Sequence, residues 1–247
     1  MIKFFRHIRR SFINQNQMGK YLKYAIGEII LVMIGILLAL QVNNWNQERI
    51  SKKEQNSLMK SIKKDLESDV DYLNSYLQTT NETYQLLQDQ SDKINRIAYN
   101  KDSLANFLKN EIYVFLTLFD GFNNNTYESM KTSGKLDLLE ASIRQPMYEL
   151  SILQNAHFKE YEILRIDYFD EIENLVRHYP IQVSFSFIKN TPQSEFIWDD
   201  LDRKEMLLHL NSWGTMKANL FRNSTRQCTQ ILEKTEKILK LINDNEN

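Results

Sequence analysis

The stretch YAIGEIILVMIGILLALQVNNW, Tyr24–Trp45, sets the reading of the whole chain. Its first 19 residues, Tyr24–Val42, are almost wholly apolar, and the one ionisable acid among them is Glu28. As a helix this run spans about 28 Å at ~1.5 Å per residue, close to the ~30 Å hydrocarbon core of a bilayer. Tyr21 and Tyr24 flank one end and Trp45 the other, where amphipathic rings favour the membrane–water interface. A cleaved signal peptide would have a shorter apolar run closed by small residues. Here the run closes on Gln41-Val42-Asn43-Asn44-Trp45. The expectation is an uncleaved, single-pass transmembrane helix over residues 21–45.

Charge divides along the same boundary. Residues 1–23 hold six basic residues and no acid, and residues 48–247 sum to −6. So acidic a body argues against nucleic-acid binding. Lys and Arg counts are nearly equal on the two sides of the span. The positive-inside rule bears mainly on short flanks, however, so the short acid-free flank is expected inside and the large body outside. Residues 1–20 form a basic cytoplasmic segment. Within it, MIKFFRHIRRSFI gathers Ile2, Phe4, Phe5, Ile8, Phe12 and Ile13 on one arc at 100° per residue. Lys3, Arg6, His7 and Arg10 lie opposite, a pattern suited to an anionic lipid surface or to a plain basic tail.

Residues 46–247 read as one extracytoplasmic helical domain. Six glycines and three prolines are few, and none falls between Gly35 and Gly121, which favours long helices. A stripe of Leu66, Val70, Leu73, Leu77, Thr80, Tyr84, Leu87, Ser91 and Ile94 steps by four and three. It would pack within the chain or on a second copy. Asp102-Ser103 is a candidate cap for a helix running through Phe115. Asp120–Asn125 has turn chemistry. Gly134 separates a short helix from a long one over about Leu136–Tyr179, with Pro146 near its start, and a last helix runs from near Asp199 to Asn243. Ile181, Val183, Phe185 and Phe187 alternate, so a short extended segment is expected near 181–188. The fold class is all-α: a single N-terminal transmembrane helix followed by an antiparallel bundle of about four helices, two of them long.

No catalytic or cofactor-binding constellation emerges. There is no phosphate-binding glycine loop, no Gly-x-Ser-x-Gly elbow, no Glu-x-x-His pair and a single cysteine, Cys228, which excludes an internal disulfide. His157 and His178 on one helix would lie about 31 Å apart at ~1.5 Å per residue. The acidic run Asp167–Glu173 reads as a solvated face. No catalytic, metal or cofactor residue is assigned.

The opening MIKFFRHIRR, the segment GKYLKYAIGEIILVMIGILLALQVNNWN and, further on, NTYESMKTSGKLDLL (Asn125–Leu139) resemble a family of Bacteroidota membrane proteins, domain of unknown function 6090. The resemblance is specific over residues 1–46 and looser beyond. It implies one anchor plus a helical body, with the anchor in the inner membrane and the body in the periplasm. It implies no activity. Asp102-Ser103-Leu104 also resembles a short periplasmic O-glycosylation signal of that phylum, at Ser103, which competes with helix capping for the same residues.

Two candidate contact surfaces remain. Glu28, Val32, Gly35, Ala39 and Asn43 lie near one helical face. Gly35-x-x-x-Ala39 is a small-residue pair that lets helices approach, and an intramembrane acid faces protein or water rather than lipid. The competing reading is an acid near the interface, about 6 Å past Tyr24 at the helical rise. Tyr127, Lys131, Ser133 and Gly134 cluster beside a turn, as a helix stop or as a partner or ligand surface. The expected function is a non-catalytic, membrane-anchored interaction or scaffold module whose partners are the lipid bilayer and another protein or a second copy. The alternative is a periplasmic small-ligand sensor that signals through a partner.

Overall fold

The computed structural model describes residues 18–181 and 192–246. The amphipathic segment 1–13 and most of the extended segment expected near 181–188 lie outside these residues. The regular elements among the described residues are all helical, with no strand: α1 (Met18–Ile97), α2 (Lys101–Asn110), α3 (Asn125–Thr132), a 3-10 turn (Leu136–Leu138), α4 (Ala141–His178), α5 (Pro192–Asp199) and α6 (Arg203–Glu246). The chain divides into two units, Met1–Leu58 and Met59–Asn247.

In the first unit α1 carries the apolar run. Leu22, Ile26, Ile29–Ile34, Ile36–Leu38, Leu40, Val42 and Trp45 are all at least half exposed. The helix is long and apolar enough to cross a membrane, and none of its most apolar window is buried.

In the second unit α1, α4 and α6 each bury one stripe with steps of four and three, the sign of helices packed along their length. The α4 stripe runs Ile143, Met147, Leu150, Gln154, His157, Tyr161, Tyr168 and Leu175. That of α6 runs Met206, Leu210, Trp213, Lys217, Leu220, Ser224, Cys228, Ile231, Thr235, Ile238 and Ile242. Pairs such as Glu149–Lys234 and Tyr168–Trp213 set α4 and α6 antiparallel. Tyr76–Ser224 and Tyr84–Arg222 set α6 antiparallel to α1 as well. α1 and α4 therefore run the same way, and the chain must return along the bundle between them.

That return explains where the sequence-based expectations shift. The helix expected through Phe115 stops at Asn110, and residues 111–124 form a strap without regular secondary structure, which includes a positive φ of 105° at Gly121. They run back along α1, from Gln90 opposite Glu111 to Asp69 opposite Asn123. The buried stripe of α1 moves accordingly. Leu66, Leu73, Thr80 and Leu87 are inside as expected, but their companions are Ile62, Asp69, Tyr76 and Thr83. Val70, Leu77 and Tyr84 are only half-buried and Ser91 is exposed. A non-helical backbone laid on a helix needs polar partners, so the polar residues face inward there.

Other boundaries move for local reasons. Asn100, not Asp102-Ser103, caps α2: its side chain accepts from the Ser103 N–H at 2.9 Å. The long helix expected from Leu136 opens as a 3-10 turn and becomes α-helical only at Ala141. A further short helix, α5, precedes α6. Gly134 does stop α3: its φ is +70°, and Lys135 N–H bonds to Met130 C=O at 2.8 Å in a Schellman closure.

Candidate functional site

The returning strap of residues 111–124 is the least ordinary feature of the second unit. Irregular chain between helices has no ladder to satisfy its peptide groups, and a buried unpaired peptide group costs roughly 1–3 kcal/mol. Side chains from all three long helices supply partners. From α1, Gln90 donates to Glu111 C=O at 2.9 Å, and the Tyr72 hydroxyl accepts from Asp120 N–H at 2.6 Å. Asp69 Oδ1 accepts from Asn123 N–H at 2.7 Å and from Asn123 Nδ2 at 3.0 Å. From α4, Tyr168 donates to Val114 C=O at 2.5 Å, and Tyr161 accepts from Phe119 N–H at 2.9 Å. From α6, Lys217 donates to Tyr113 C=O at 2.5 Å.

Two charged groups are thereby taken inside. Asp69 is fully buried. Burial raises its carboxyl above the usual range, against the lowering effect of its Asn123 and Gln154 hydrogen bonds. Gln154 of α4 closes on its other oxygen at 3.2 Å. Lys217 is 1% exposed, and its ammonium lies over the rings of Tyr113, Trp213 and Phe221 at 4.8, 5.4 and 6.0 Å. Burial pulls its pKa down to about 7. The ring faces and the carbonyl offset part of that desolvation.

Cys228 and His157 meet in the same core, with Sγ 3.4 Å from Nε2. The pairing suggests a nucleophile and base, but the electrostatics oppose it. Burial pushes the thiol up to about 12 and lowers the imidazole, so both stay neutral. His157 is packed among Phe119, Phe122 and Tyr161. His178 and His209, 31 residues apart in sequence, meet with their rings tilted and centroids 4.7 Å apart at the far end of α4. Among the described residues no group of three or more metal-ligating side chains could hold an ion.

A groove of roughly 790 Å³ lies between α1 and α6. Its floor is Leu87, Leu210, Trp213 and Gly214, and its rims carry Gln88, Asp89, Asp92, Asn95, Asn211 and Arg222.

The residues singled out from sequence fall in three places. Along α1 nothing among the described residues lies within 4 Å of where a Cβ on Gly35 would sit, and Val32 is exposed. At the α3 stop, Tyr127 points into the core at 3% exposed, whereas Lys131, Ser133 and Gly134 face outward. Lys131 pairs with Glu128, and the Ser133 hydroxyl bonds Ser129 C=O at 2.7 Å. Ser103 sits half-buried in the first turn of α2. Neither the strap nor the Lys217 cage is legible in the sequence. The signals were Asp69, Thr80 and Thr83 on an otherwise apolar heptad face, and Lys217 at a core position of α6.

The chain belongs to a family of unknown function (DUF6090), whose family model matches residues 28–155. The matched span takes in α1 from Glu28, the strap and the part of α4 that ends just past Gln154. No curated protein and no solved structure matches the chain.

Proposed function

We propose that the chain is a single-pass, membrane-anchored interaction module whose second unit is a non-catalytic helical body. The observation that carries this is the exposure of every large apolar side chain from Ile29 to Leu38 on a helix that continues into the core of that body. Burying one such side chain is worth roughly 1.5–3 kcal/mol, and a bilayer core would take up the whole set. The basic flank supports an N-terminus in the cytoplasm and the body in the periplasm, with the anchor in the inner membrane. The non-catalytic reading is supported by what the reactive groups do. Cys228, His157, Asp69 and Lys217 are all engaged in packing the core or holding the strap.

Alkaline carbonate washing of native membranes tests the anchor: the chain stays in the pellet, and its release would overturn the reading. Inside the membrane, the Glu28, Val32, Gly35, Ala39 and Asn43 face is the proposed contact with a second transmembrane helix. Cysteine placed at Val32 crosslinks there, Gly35→Leu abolishes the crosslink and Ile34→Leu leaves it. Equal, poor crosslinking at positions 32 and 34 would reduce the helix to an anchor. The α1–α6 groove is the one observation that favours the second reading, a small-ligand sensor. Saturable binding of a periplasmic metabolite, weakened by Asp92→Asn, would establish it.

A further inference from the structure

We propose that the groove between α1 and α6 binds a short linear peptide by both of its charged ends, the carboxylate on Arg222 and the ammonium on Asp92. The inference rests on the sensor reading of that groove and gives its ligand a chemical class. Toward α1, α6 offers only Gly214, Thr215 and Ala218 there, which keeps the space open. At roughly 790 Å³ the groove falls within the ~300–1,000 Å³ usual for small-ligand sites.

Its charges are sorted by end. At one end the Tyr84 hydroxyl accepts from Arg222 Nε at 3.0 Å, and the guanidinium carbon lies 6.0 Å from the centre of the Tyr84 ring. That hold leaves the two terminal nitrogens, the fork that grips a carboxylate with parallel hydrogen bonds. At the other end α1 presents Asp89 and Asp92, both exposed. Among the described residues none of these three enters an ion pair. A simple amine would leave Arg222 unused, and a simple acid would leave the two carboxylates unused. Between the ends lie the apolar floor and the exposed amides of Gln85, Gln88 and Asn211. Each amide both donates and accepts, which matches the N–H and C=O groups of a peptide backbone. The spacing sets the length. Tyr84 and Asp92 are eight residues apart on α1, about 12 Å at ~1.5 Å per residue. Extended chain covers about 3.3–3.6 Å per residue, so three or four residues join the two ends. A single amino acid carries both charges on one carbon and reaches only one of them.

The test dialyses the full chain, in detergent, against a random library of tri- and tetrapeptides. The retained peptide is identified by mass spectrometry and titrated by calorimetry. Acetylating its N-terminus or amidating its C-terminus weakens binding about tenfold or more in each case. Asp92→Asn weakens the free peptide by as much and leaves the acetylated form unaffected. Arg222→Gln weakens the free peptide likewise and leaves the amidated form unaffected. Arg226→Gln, one turn along α6 and outside the groove, changes nothing. All three positions are exposed, and circular dichroism checks that the variants fold. Capped peptides that bind as tightly as free ones would overturn the proposal. So would variants that weaken free and capped forms alike, or an Arg226→Gln loss equal to that of Arg222→Gln. Asp92-dependent retention of a non-peptide from a periplasmic extract, with no peptide retained, would overturn the proposal and leave the sensor reading standing. Retention of nothing from either source would overturn both.

Discussion

Two stretches of one helix make opposite use of the same backbone. From Ile29 to Leu40, α1 is apolar around its whole circumference and exposed throughout. From Ile62 to Leu87 it buries a single stripe, and that stripe contains Asp69, Tyr76, Thr80 and Thr83. The first pattern suits a uniform medium, which asks only for hydrophobicity and length. The second suits a protein interior in which one neighbour is not a helix, so that hydrogen-bonding capacity matters as much as apolar area. The contrast shows that the less hydrophobic half of α1 is the more specifically packed one.

The largest expected effect comes from separating the halves. Deleting residues 1–46 should turn a chain that needs detergent into a soluble one with high helicity by circular dichroism. A truncated chain that stays insoluble, or loses its helicity, would break the comparison at its root.

Next is Asp69. Asp69→Ala removes the acceptor for Asn123 and Gln154 inside the core and should cost about 3 kcal/mol in denaturant unfolding. Asp69→Asn should cost less. Because burial raises the folded-state pKa of Asp69 above 3.8, its contribution is fully present below 3.8 and declines as pH rises through the folded pKa. Asp69→Asn should flatten that part of the stability profile.

Lys217 has the opposite sign. Its folded pKa of about 7 lies below the usual 10.5, so the unfolded chain binds more protons between those values and stability rises with pH. Between pH 7 and 8.5 the gain should be about 2 kcal/mol, and Lys217→Met should abolish it. An unchanged slope in that variant would mean that the ammonium is not enclosed as the three rings suggest.

The smallest effect sharpens the comparison from outside the core. Gly134→Ala places a Cβ at φ +70° in the α3 stop and should cost about 1 kcal/mol. The loss should leave the pH profile unchanged, because the stop touches neither Asp69 nor Lys217.

Much of this was legible in residue order. The apolar run, the scarcity of breakers and the heptad steps pointed to an all-α chain with one exceptional helix, and Gly134 marked a helix end. The α1 stripe is legible only in part. Leu66, Leu73, Thr80 and Leu87 belong to both candidate faces, and hydrophobicity alone preferred Val70, Leu77 and Tyr84 to Asp69, Tyr76 and Thr83. The helix expected through Phe115 failed in the same way. Ile112, Val114 and Phe119 are buried as an irregular strap, in which apolar residues also suffice to fill the core.

By itself, then, the sequence determined the helical class, the candidate membrane span and its length, because these depend on composition and on periods of three to four residues. Tertiary structure alone decided the parallel course of α1 and α4, the strap between them, the burial of Asp69 and Lys217, and the meeting of His157 with Cys228. Those features depend on where peptide groups without helical partners come to rest. Residues as distant as Tyr113 and Lys217 must be folded together before their hydrogen bonds exist.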